Sequence, residues 1–181
     1  MKKILFVVLF ILSLAPSFAE SDSYKTKIEQ AVNTKDYLFK QEVFSVDNIP
    51  AFRIDALKIT NLEKFNVSTG LKVVYSHQFG KESKTLYNYI DTDEIDGVIT
   101  SLQYMKTILK SKIIPGNYTE IKFVTRSGFL VMLNTILNED NKLDWGFSAQ
   151  PDNNVERSMI ILKPGDVEKL QKTMEQAKGK L

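Results

Sequence analysis

Two rows of apolar residues carry the same spacing in distant parts of the chain. Ile95, Val98, Leu102, Met105 and Leu109 step by 3, 4, 3 and 4, and Val167, Leu170, Met174, Ala177 and Leu181 do so again at a constant offset of 72. Each row is one apolar stripe along a helix. A stripe of this kind has to be buried against a second layer. The match points to a tandem duplication, and it constrains architecture far more than activity.

The segments around the helices read as strands. Phe52 to Asn61 puts Phe52, Ile54 and Ala56 on one face and Leu57 and Ile59 on the other. Leu71, Val73, Tyr75, His77 and Phe79 alternate with Lys72, Val74, Ser76 and Gln78, the signature of a half-buried antiparallel strand. Thr85 to Ile90 is a third strand, and a helix follows from near Asp91 to about Lys110. Asp91 with Glu94 three residues later has the spacing of a capping box. After the linker Ile113 to Asn117, strands are expected at Tyr118 to Thr125, Phe129 to Leu137, Leu143 to Gln150 and Ser158 to Leu162. Arg126-Ser127-Gly128 is a hairpin tip between the first two. Pro164 opens the last helix. Lys25 to Val32 reads as a short helix and Tyr37 to Val46 as extended.

The expected class is therefore α+β: an antiparallel sheet with two amphipathic helices packed on one face. Its unit is a strand-strand-strand-helix pseudo-repeat over residues 46–110 and 118–181. The two units are expected to join edge to edge into one long curved sheet. The opposite face would stay open or be covered by the N-terminal segment or a partner.

Residues 1–19 read as an address. Met1-Lys2-Lys3 is a short basic start, Ile4 to Leu14 is almost wholly apolar, and Ser17 and Ala19 are the small residues of a cleavage site before Glu20. The apolar run falls short of the roughly 20 residues that span a bilayer. The chain has no Cys, so a lipoprotein anchor and a disulfide framework are both excluded. A protein cleaved after Ala19 is exported, to the periplasm or the outside of a bacterial cell, as a single domain over 20–181 with no membrane span. The 24 Lys+Arg face 22 Asp+Glu. Lys2 and Lys3 leave with the leader, so the mature chain carries 22 of each. That balance offers no basic surplus for phosphate backbones, and nucleic acid is not an expected partner.

In element order the chain resembles the Whirly-type single-strand binding proteins, which place four strands and a helix twice. It also resembles a secreted beta-lactamase inhibitor family made of two sheet-bearing repeats. The likeness is one of order, without a diagnostic motif of either.

The chain is poor in catalytic signals. His77 is its only histidine, a weak candidate for a general base and, on the plainer reading, a partly buried histidine at a strand end, hydrogen-bonded to backbone. One histidine and no cysteine leave no metal set, and no cofactor is expected. Asp91, Asp93, Glu94 and Asp96 fail the calcium-loop spacing, because Ile95 stands fifth and Gly97 seventh. No nucleophile elbow, phosphate loop or dinucleotide fingerprint occurs. Two surface candidates remain. Tyr87 and Tyr89 share one strand face, and Phe129 and Val131 lie in a run that is apolar on both faces. The expectation is a non-enzymatic exported protein that uses an exposed sheet face, first of all for a protein partner. The alternatives are a carrier of a small apolar ligand held between sheet and helices, and an exported hydrolase using His77.

Overall fold

Apolar alternation along the strands and 3.6-residue periodicity in the helices produce an α+β fold. The structure is a computed structural model and describes residues 26–181. The expected leader and its expected cleavage site lie outside the described residues. Helix α1 spans Lys27–Asn33. Strands β1 (Phe39–Ile49), β2 (Phe52–Asn61), β3 (Val67–Phe79) and β4 (Glu82–Asp91) follow, then helix α2 (Thr92–Ser111). Strands β5 (Glu120–Val124), β6 (Leu130–Leu137), β7 (Leu143–Gln150) and β8 (Ile160–Leu162) precede helix α3 (Asp166–Lys178). The strands form two separate four-stranded antiparallel sheets in the orders β1-β2-β3-β4 and β5-β6-β7-β8. The expected single long sheet is thus replaced by two. The segment read only as extended, Tyr37 to Val46, forms most of β1.

Both apolar rows turn inward. Ile95, Val98, Leu102 and Met105 of α2, and Val167, Leu170, Met174 and Ala177 of α3, are buried in one continuous core. That core also takes Ile54, Leu71 and Val73 from the first sheet and Phe129, Val131 and Phe147 from the second. The helices pack against each other. α3 reaches back to β1 and β2, whereas α2 contacts β5 and β6 as well as β3 and β4. Gly97 marks a close crossing on α2, where an added Cβ would stand 2.7 Å from the Phe123 ring on β5.

The first sheet is apolar on both faces at one end. Ile54 and Ala56 face the main core, while Leu57 and Ile59 form a second cluster with Ile28 of α1, the split expected from the alternation in β2. Gly70 makes the approach of α1 possible: a Cβ there would meet the Ile90 carbonyl at 2.6 Å and the Ile28 side chain at 3.1 Å. On β1 the register slips between Ser45 and Asp47, and the slip lets Val46 pack against the core. No described helix is long and apolar enough to cross a membrane.

Truncating the helix stripe should leave a void that neighbours fill only in part. Leu102→Ala is expected to cost about 2–5 kcal/mol, measured by denaturant unfolding. Gly70→Val should destabilise by about 1–3 kcal/mol through overpacking. It should also raise amide exchange selectively in α1, a selectivity that a general loss of stability would not give.

Candidate functional site

The face of the first sheet turned away from α2 and α3 is built by cross-strand rows. Arg53, Val74 and Tyr87 are register partners in one row, and Ser45, Asp55, Lys72 and Tyr89 in the next. Tyr87 is 51% exposed. The Lys72 ammonium stands 3.9 Å from the centroid of its ring, a cation–π contact that holds the long lysine stem flat on the sheet. Arg53 grips Asp55 through two nitrogens, Nε to Oδ1 at 2.9 Å and Nη2 to Oδ2 at 3.0 Å. Asp55 is buried while the Arg53 side chain is 45% exposed. The pair therefore satisfies a buried carboxylate and presents a fixed guanidinium beside Tyr87. Opposite charges at i and i+2 on a strand signal this pair, but only the register places it next to the tyrosine.

Of the four surface candidates named from sequence, Tyr87 alone stands free. Tyr89 packs into the cluster under α1, and burial, followed by the charge of Glu29, pushes its phenol up. Phe129 and Val131 are corrected. Both are fully buried in the main core, because the odd-numbered side chains of this strand face the helices. The other side of the strand carries Leu130 and Met132, whose rows continue to Val124 and Ile161. Val124 is 42% and Ile161 85% exposed. Ser148, between Met132 and Ile161 in that row, has a buried hydroxyl without a hydrogen-bond partner.

The acidic run at the start of α2 also does something other than expected. Asp91 occupies the N-cap position but makes no side-chain bond to its own helix. Its carboxylate instead accepts from the Lys27 and Ile28 amides of α1 at 2.9 and 3.0 Å. Arg126, at the β5–β6 turn, closes the arrangement. Its guanidinium contacts Asp91 at 3.1 Å, Asp93 at 2.6 Å and Glu94 at 3.2 Å. Its amide donates to Glu94 Oε1 at 2.7 Å. The capping-box spacing is therefore used between elements. Sequence spacing cannot reveal such a link, since it compares only residues near one another in the chain.

His77 is half-buried near the end of β3, with its ring edge-on to Phe79 at 4.6 Å and, among the described residues, without the backbone hydrogen bond that the plainer reading gives it. No carboxylate among the described residues hydrogen-bonds to it. Among the described residues no group of three or more potential ligands gathers for a metal ion.

No family model, curated protein or solved structure matches this chain. The likeness to other doubled sheet-helix proteins thus stays at the level of element order and carries no function.

The Arg126 clasp sets an acid dependence. Hydrogen bonding to Arg126 holds the Asp93 carboxyl below the usual carboxylate range. A lowered folded value means that the pair's stabilisation is complete above the unfolded carboxylate value of about 4 and is lost as pH falls through the folded one. Arg126→Met should therefore lower stability near neutrality and flatten the fall in melting temperature as the pH drops below about 4. An unchanged acid slope in the variant would contradict this assignment.

Proposed function

We propose that this is an exported, non-enzymatic binding protein. It docks a protein partner on the face of the first sheet turned away from α2 and α3. The observation that carries the reading is Tyr87, half exposed on an open sheet face and flanked by Lys72 and Arg53. Aromatic residues and arginine supply most of the energy of protein interfaces when they are held rigid before contact. Both are held here, Tyr87 by the lysine lying on it and Arg53 by its carboxylate fork. Val74 between them, and Val43, 47% exposed on β1, add apolar area to the same side. The exported location rests on the leader-like residues 1–19.

The same reading takes the chain as a tandem pseudo-repeat whose helices shield a common layer. The 72-residue offset supports it, because it carries Val73 and Tyr75 onto Trp145 and Phe147, and all four side chains are buried in the main core.

Site-specific photocrosslinking tests the docking face. A photoreactive residue at Tyr87 should give a discrete protein adduct in cells that make the protein, and the adduct should fade when Arg53→Ala is added. The same residue at Tyr104 on α2, 60% exposed, should give none. Equal adducts from both positions, or none from Tyr87, would overturn the reading. Tyr87→Ala by itself should change folding stability by no more than about 0.5 kcal/mol, as an outward-facing substitution.

A further inference from the structure

The turn between β7 and β8 holds an arginine in a backbone conformation that arginine disfavours. Arg157 has a φ of 60°. The Ser158 amide donates to the Val155 carbonyl at 3.3 Å to close the turn, and the Ser158 hydroxyl donates to the Asp152 carbonyl at 2.6 Å. Glycine would adopt this conformation without strain. The strained residue is also unspent, because its guanidinium makes no hydrogen bond or ion pair with any described residue.

Arg157 opens onto the same groove as His77. The groove measures about 520 Å3 and lies between the β3–β4 tip and the β7–β8 turn, with Gln78, Asn154 and Glu156 also on its wall. His77 likewise hydrogen-bonds to no described residue. Lys84 is its register partner on β4, with an ammonium 3.9 Å from Glu82 Oε2. Lys81 stands at the tip itself. Asp152, at the base of the turn, is engaged by the Asn154 amide at 2.9 Å. Arg157, Lys81 and Lys84 balance Glu156, Glu82 and Asp152 in number, but of the groups on the groove wall itself Arg157 and His77 make no hydrogen bond or ion pair with a described residue. Phe79, against the imidazole, supplies an apolar side.

We propose that this groove is a binding site for a small oxyanion, a carboxylate or a phosphate, held by the Arg157 fork and the His77 imidazole. A planar guanidinium without a protein partner offers paired N–H donors in the spacing of two oxygens. The imidazole N–H beside the fork adds a further donor directed at the same oxygens. The assignment is independent of the docking face around Tyr87.

NMR titration of the 15N-labelled protein tests it, with sodium acetate and sodium phosphate as probes and chloride holding ionic strength constant. Either probe should give saturable amide shifts confined to residues 76–80 and 154–158. The tighter of the two identifies the ligand class. His77→Gln should weaken the binding of either probe at least threefold without abolishing saturation. Arg157→Gly should raise the melting temperature by about 2 °C or more and weaken binding at least tenfold. A residue held for structure alone would not give that opposition. Shifts that fail to saturate, shifts spread over surface lysines, or binding unchanged in Arg157→Gly would each overturn the proposal.

Discussion

One guanidinium ties the two sheets together. Arg126 leaves the β5–β6 turn of the second sheet and lands among three carboxylates at the point where β4 becomes α2. Asp91, the buried member, serves two neighbours, because its oxygens also take the first amides of α1. A buried carboxylate without a cation and donors would be costly to fold. Each of the three elements that meet at Asp91 therefore makes the position of the other two tenable. The surrounding contacts are of the same kind. Asn88 Nδ2 donates to the Pro151 carbonyl at 2.7 Å, and the Ser127 hydroxyl donates to the Tyr89 carbonyl. An edge strand of the first sheet is in this way closed by polar loops of the second, which protects it from pairing elsewhere.

The core complements that junction. The helices are exchanged in part: α3 contacts the first sheet's β1 and β2, and α2 contacts the second sheet's β5 and β6. The result is one apolar interior across both sheets. The faces turned away from α2 and α3 are left to α1, which covers only the end of the first sheet around Leu57 and Ile59. This division places Tyr87 in the open and Tyr89 under cover, although the two are separated by a single residue.

Much of this was legible from the residues in order. The helix stripes, the alternation in β3 and β7, and the two-sided burial of β2 are periodic signals, and periodicity is local. The separation into two sheets was not legible, because strand alternation says which face is buried but not which edge is paired. The run Phe129 to Leu133 is apolar at every position, so nothing in it distinguishes the core face from the outer one. Only packing against the helices settles that Phe129 and Val131 point inward. The same blindness hid the role of Asp91 and Glu94, whose partners lie on α1 and at the β5–β6 turn. At the candidate sites, single residues were legible and pairings were not. Tyr87 and His77 stand out by type, whereas Lys72 over the ring and Arg157 across the groove depend on register and turn geometry.

The exchanged helices have a consequence for biogenesis. The strands that emerge first, β1 and β2, receive cover from the helix that emerges last. Contacts of such long separation form slowly, since the loop must close before they reward the chain. A chain that emerges from its amino end would thus hold β1 and β2 without their full helical cover until α3 had followed.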